Sequence, residues 1–377
     1  MLRNTGQPDT SHGIPVESHG HAGVVEDGPN EPTLATTMTA PRLLNLALQG
    51  GGAHGAFTWG VLDALLEDGR IAFDGVSGTS AGAMNAVVLA QGWMAGGREG
   101  ARAALRRFWT ALADTMPMDV TRHDAGGGVH LAPAVKLWMA WAHYVTPAQF
   151  NPLDVNPLRE LLVAQVDFER LRRHGPMRLF VAATHADSGR LRLFGSHELS
   201  VDAVLASGCL PTVFHAPRID GQTYWDGGYA ANPAVFPLLQ GGRALDTLLV
   251  LLSALEWPPT QPTDTAGELH ARVAEIAFTA AFRREMQALV RERAQRERRA
   301  WQRWLPRAWG GGPEPRFHLI EAGPALDHLA GETRLAVNAR FFETLHQLGR
   351  ASASRWLAQH FAALGRRDSV DLAAKFA

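Results

Sequence analysis

Between residues 42 and 254, short apolar runs ending in glycine alternate with longer stretches of helical spacing. RLLNLALQ (42–49) has no regular polar face and stops at glycines, the pattern of a strand buried on both faces. AFTWGVLDALLEDG (56–69) repeats apolar residues at helical spacing and stops on Gly69. RIAFDGVSG (70–78) predicts a second strand and SAGAMNAVVLAQGWM (80–94) a second helix. Further strands are predicted at 177–186, 191–196 and 246–254, and helices at 98–113 and 157–166. The alternation predicts an α/β fold. Two glycine clusters fall on strand-to-helix junctions, where parallel sheets place their chemistry.

Outside this rhythm the pattern is less regular. Residues 1–40 are rich in Gly, Pro, His and Thr without periodicity and predict a disordered tail. The irregular region 113–157 holds APAVKLWMAWAHYV (132–145), readable as a lid or acyl-chain wall, or as a buried core helix. The prolines of WPPTQPTDTAG mark a linker, after which a long helix is predicted from about 266 to 306. Arginine dominates its charge from 283 onward, and Trp301, Trp304 and Trp309 crowd its end. That combination suits an interfacial helix on a lipid surface, or a solvated basic face whose tryptophans pack inward. A strand at 316–322 and helices at 333–348 and 350–365 close the chain. The expected organisation is a tail (1–40), a catalytic domain (41–254) and a mainly helical extension packed on the core (255–377).

Composition narrows the possibilities. A net charge of −1 gives no basis for nucleic-acid binding. The single cysteine, Cys209, excludes a disulfide framework and sits in an apolar run as a small core residue. No apolar run is long enough to span a bilayer, and no signal-peptide pattern is seen, so a cytoplasmic location is expected, with peripheral contact to the inner membrane face through 283–309.

Three motifs carry chemistry. In GTSAG, Ser80 stands between Gly78 and Gly82 at a strand-to-helix turn, where a Cβ at either glycine would strike the neighbouring strand or helix. The helix that follows brings free N–H groups and a positive dipole end to the hydroxyl. GGGAHG (50–55) fits G-x-G-x-x-G. It is readable as a dinucleotide cradle with Asp74 as the acidic partner, or as an oxyanion loop whose unshielded N–H groups approach an acyl oxygen. In YWDGGYAANPA (224–234), Asp226 precedes Gly227 and Gly228; a desolvated carboxylate there can take a serine proton directly.

Taken in order, the glycine loop, the serine elbow and the Asp-Gly-Gly resemble the patatin-like phospholipase family. The resemblance runs from Leu43 to about Leu239 and includes ASGCLPTVFHAP ahead of Asp226. FNPLDVNPLRELL, RREMQAL and GRASASRWLAQHF are similar to a bacterial branch of it. The resemblance implies a three-layer α/β/α hydrolase core and a Ser–Asp dyad without histidine. It makes Ser80 the nucleophile and Asp226 the base, and places the oxyanion hole at Gly50, Gly51 and Gly52, with Ala81 added. Gly55, Gly78, Gly82, Gly227 and Gly228 are the motif glycines. The implied substrate is a phospholipid or other lipid ester, cleaved through an acyl-enzyme with no metal or organic cofactor. Two positions depart from the family pattern. His54 stands where Lys or Arg is frequent, either as a pH-dependent element of the loop or as a solvated bystander, and His215 replaces an apolar residue.

Four rivals stay open on the sequence. An ordinary Ser–Asp–His triad would draw on His318 or His346. A nucleotide-binding oxidoreductase would use 50–55 with Asp74, and an acyltransferase would use the same dyad. A non-enzymatic membrane-binding scaffold would keep the fold alone.

Overall fold

The computed structural model describes residues 40–115, 121–123, 129–132, 149, 151, 154–255, 266–298, 314–326 and 331–377. The N-terminal tail, most of 132–145 and the three tryptophans at 301, 304 and 309 lie outside the described residues.

The first half of the chain folds as its periodicity predicts. Strand β1 (Arg42–Leu48) runs through a 3-10 turn (Gly52–His54) into helix α1 (Gly55–Asp68). Strand β2 (Ile71–Thr79) runs through Ser80 into α2 (Ala81–Asp114). Helix α2 kinks at Gly96 and Gly97, which separates the two helical patterns of the sequence. A small hairpin, β3 (Thr121–His123) with β4 (Val129–Leu131), follows. Next come α3 (Pro157–Gln165), α4 (Phe168–His174), β5 (Arg178–His185), β6 (Leu191–Gly195) and α5 (Val201–Ser207). Strands β7 (Arg218–Ile219), β8 (Gln222–Asp226) and β9 (Asp246–Leu251) lead to the long helix α6 (Ala266–Arg298). Strand β10 (Arg316–Glu321) and helices α7 (Ala339–His360) and α8 (Leu372–Phe376) complete the fold.

The main sheet has the order β10-β9-β1-β2-β5-β8-β7, with β6 also paired to β5. The strands from β10 to β5 are parallel, whereas β6, β7 and β8 pair antiparallel. Alternation along the central strands makes two cores. Leu44, Leu46 and Leu48 of β1 and Leu248 and Val250 of β9 face the layer of α1, α2 and α7. Ala47, Leu249 and Leu251 face Phe282 and Met286 of α6 and Phe376 of α8. Helices thus cover both faces, as a three-layer α/β/α core requires. Residues Ala40–Ala377 form one compact unit, in which β10 extends the parallel sheet at its edge.

One predicted break is absent. The helices expected at 333–348 and 350–365 are a single helix, α7, preceded by a 3-10 turn at Gly331–Leu335. Gly349, which reads as a stop, is instead a crossing point. A Cβ on it would lie 2.0 Å from the Phe57 carbonyl, and one on Gly60 would lie 2.0 Å from the His346 carbonyl. The paired glycines let the backbones of α1 and α7 touch. Asp63 locks the same crossing with Arg102, Arg350 and His346. Burial alone would raise its carboxyl, but those hydrogen bonds outweigh it and hold Asp63 well below the usual carboxylate range.

Two arginines of the basic part of α6, Arg283 and Arg293, are engaged with the protein body, whereas Arg296 pairs within the helix. Arg283 donates to the Leu255 carbonyl, and Arg293 pairs with Asp368 at 3.0 Å while Arg296 pairs with Glu292. Among the described residues, no helix is long and apolar enough to cross a membrane.

Candidate active site

Ser80 follows the last residue of β2 and caps α2 with φ 54° and ψ −122°. A non-glycine residue avoids such a conformation unless its surroundings impose it. Here they do. A Cβ on Gly78 would lie 2.4 Å from the Gly82 carbonyl oxygen, and one on Gly82 would lie 2.3 Å from that of Leu48. The turn closes only because both positions lack side chains, as the G-x-S-x-G spacing predicts. The Ser80 N–H donates to the buried Ser207 hydroxyl at 2.9 Å, so the strained peptide is also pinned from α5. Ser80 itself stays partly exposed.

Asp226 ends the antiparallel strand β8, beside β5, with its carboxyl within hydrogen-bonding influence of the Ser80 hydroxyl. Its backbone is fixed on both sides: its N–H donates to the Cys209 carbonyl at 2.8 Å, and its carbonyl accepts the Thr184 hydroxyl at 2.8 Å. The carboxylate accepts the Gly228 N–H at 2.7 Å. Gly227 opens the 3-10 turn that follows. Asp226 is buried, and burial pushes its carboxyl up to about 7 although the Gly228 N–H and the Ser80 hydroxyl stabilise the charged form. A carboxyl poised there can exchange protons near neutral pH.

The glycine loop lies beside the elbow. Gly50 is buried, Gly51 partly exposed and Gly52 exposed. The Gly50 N–H donates to Asn232 Oδ1 at 2.7 Å, so of the expected oxyanion donors it is the one already engaged by a side chain. The N–H groups of Gly51 and Gly52 carry no hydrogen bond among the described residues, and that of Ala81 lies in the unsatisfied first turn of α2. Gly55 opens α1, and its carbonyl accepts the Asn85 amide at 3.0 Å, joining the starts of α1 and α2.

The profile of the family described as Patatin-like phospholipase matches residues 46–239, which holds the glycine loop, the elbow and Asp226. The chain belongs to this family. Three solved structures are similar at low identity. VipD from Legionella pneumophila shares 15% identity over 85% of this chain and 68% of its own, with a TM-score of 0.41. The ExoU–SpcU complex from the type III secretion system of Pseudomonas aeruginosa shares 18% over 82% of this chain and 52% of its own, at 0.30. The type III effector ExoU shares 15% over 85% and 53%, at 0.32. The chain therefore spans about half the length of the two ExoU chains. A search of the curated proteins finds no match.

Within this patatin-like chain, several residues singled out by sequence have other employment. Asp74 lies in the first half of β2, away from the glycine loop. It accepts from Arg178, from Arg243 and from the N–H of Ala244, which leaves it no role on a ribose. His318 bonds Asp246 and Ser369, and His346 bonds Asp63 and stacks on Trp59; neither ring is directed at Ser80. His215 bonds the Asn151 carbonyl at 2.9 Å. Cys209 is buried, and burial with the nearby Asp226 and Asp154 charges pushes its thiol up to about 12, far from a nucleophile's range. His54 is neither solvated nor a pH sensor. It is buried against Thr333 at 2.8 Å, and burial together with the Arg334 charge lowers its pKa to about 3.

Sequence reasoning missed Ser207, Asn232 and Thr333. Ser207 and Asn232 lie inside stretches quoted for the family resemblance, and a polar residue amid small apolar ones is a signal that it holds a backbone group. Thr333 carries no local signal.

Proposed function

We propose that this protein is a serine lipid acyl hydrolase that uses Ser80 and Asp226 as a dyad. The observation that carries the reading is the strained, partly exposed Ser80 facing a buried carboxyl poised near neutrality, with both candidate histidines engaged elsewhere. Asp226 accepts the Ser80 proton as Oγ attacks the ester carbonyl. The N–H groups of Gly51, Gly52 and Ala81 receive the oxyanion, which collapses to an acyl-enzyme as the alcohol leaves with the proton from Asp226. Asp226 then takes a proton from water, whose oxygen attacks the acyl carbon, and returns that proton to Ser80 Oγ as the tetrahedral intermediate collapses and the fatty acid leaves. The substrate is a phospholipid or related ester reached from a membrane or micelle surface, in keeping with the family.

Hydrolysis of a short p-nitrophenyl ester and of a phospholipid tests this. Ser80→Ala and Asp226→Asn should each abolish both activities. Full activity in either variant overturns the dyad.

A further inference from the structure

The turn Gly331–Leu335 lies outside the segment that defines the family, yet it meets the glycine loop at several points. Thr333, fully buried, shares a hydrogen bond with His54 Nε2 at 2.8 Å. The Arg334 carbonyl lies directly over Gly52, which has φ +58°; a Cβ there would come within 2.2 Å of that oxygen. The His54 ring also packs edge-on against Phe341, in the first turn of α7, at 6.1 Å. Arg334 is tied down in turn, its guanidinium donating to Ser253 Oγ at 3.2 Å and to Glu275 of α6 at 3.3 Å.

We propose that this turn is a latch for the oxyanion loop, with Thr333, acting through His54, and the Arg334 backbone as positioning elements for the reaction proposed above. The inference rests on that reading for its kinetic consequence but not for its structural one. The loop has two clamps: Asn232 holds its start at Gly50, and Thr333 holds its end at His54. Between them lie the N–H groups of Gly51 and Gly52, which have no hydrogen-bond partner among the described residues, so their direction is set by the clamps and by the Arg334 carbonyl over Gly52. Donors aimed at an oxyanion lose their value when displaced by a fraction of a hydrogen-bond length. Because burial keeps the His54 ring neutral, the Thr333 bond does not change with pH across the physiological range. The catalytic site is thereby made dependent on a C-terminal segment almost a hundred residues beyond the family match.

Thr333→Val removes the hydroxyl at nearly constant shape, Thr333→Ser keeps it, and His54→Phe deletes the bond from the other side while keeping an aromatic ring against Phe341. In the full-length protein, Thr333→Val and His54→Phe should lower kcat on p-nitrophenyl butyrate by about 10- to 100-fold with KM unchanged. Thr333→Ser should stay within about twofold of the parent. Hydrogen exchange followed by mass spectrometry should show faster exchange of the peptide spanning residues 49–57 in Thr333→Val and His54→Phe. A parent kcat in either folded variant overturns the latch, as does failure of serine to rescue. Unchanged exchange in 49–57 overturns it whether or not the protein proves to be an esterase, whereas an inactive parent with the expected exchange change counts against the Ser–Asp reading alone.

Discussion

The side chain of Asn232 holds the backbone N–H of Gly50 at 2.7 Å, across 182 positions of sequence. The bond ties the loop after Asp226 to the start of the glycine loop, so it links the two segments proposed to supply the base and the oxyanion donors. It also occupies a backbone N–H that the proposed oxyanion hole would otherwise offer to an acyl oxygen.

Replacing Asn232 with alanine should therefore impair catalysis through the loop. The orphaned Gly50 N–H is buried, and leaving it unsatisfied should cost about 1–3 kcal/mol of stability. The expected kinetic result is a kcat about 10- to 100-fold lower with KM held. Steady-state kinetics on a soluble ester and a denaturant titration check both parts; a parent kcat would detach the contact from the chemistry.

Asp226 makes activity and stability move in opposite directions with pH. An unfolded carboxyl ionises near pH 3.9, whereas folded Asp226 does so near 7. Between those values the folded protein keeps a proton that the unfolded chain has lost, so stability falls as pH rises through the window. The base must be ionised, so kcat/KM should rise through about pH 7. Asp226→Asn should be inactive yet more stable than the parent at pH 8, with the difference shrinking towards pH 4. Glu285, whose carboxyl burial also raises to about 7, is present in both proteins and cancels in the comparison. Thermal midpoints of the two proteins from pH 4 to 8 provide the check, and a constant difference would show that Asp226 is not buried as an unfavourable charge.

The two histidines that a triad would draw on, His318 and His346, should prove structural. His318 caps a network of Asp246, Arg316 and the Gly365 N–H, and the Asp246 carboxyl, which burial alone would raise, is held well below its usual range by these partners. His318→Ala and His346→Ala should each lose about 1–3 kcal/mol of stability and keep kcat/KM on a soluble ester within about twofold. Loss of catalysis in a folded variant would restore the triad.

Gly349→Ala should be severe for a single methyl group. The added carbon meets the Phe57 carbonyl at 2.0 Å, and neither α1 nor α7 can withdraw without opening the core they share. A loss of about 1–3 kcal/mol or more is expected, read as a lowered denaturation midpoint with an unchanged kcat in the protein that remains folded.

The contrast between Gly78 and Gly349 shows where sequence reasoning succeeds. Gly78 and Gly82 serve contacts made within a few residues or with an adjacent strand, so their spacing around Ser80 exposes their purpose. Gly349 serves a contact made with Phe57, and nothing near it distinguishes a helix stop from a helix crossing. The strands were legible for the same local reason, as apolar runs with glycine ends, and so was the placement of Ser80 at a strand-to-helix turn and of Asp226 at a strand end. The roles of Gly50 and His54 were not, because Asn232 and Thr333 reach them across the sequence, and hydrogen bonding to a distant buried partner leaves no periodic trace. His54 had only two readings while its surroundings were unknown, solvated or titrating, and burial supplied a third.

In the proposed dyad Ser80 is a nucleophile activated by Asp226 alone. A fluorophosphonate probe with peptide mapping tests it most directly, because the reagent phosphonylates a serine only when its hydroxyl is activated. Label is expected on the peptide carrying Ser80 in the parent and in His318→Ala and His346→Ala, and none in Asp226→Asn. Label that persists in Asp226→Asn, or that vanishes with either histidine, would contradict it.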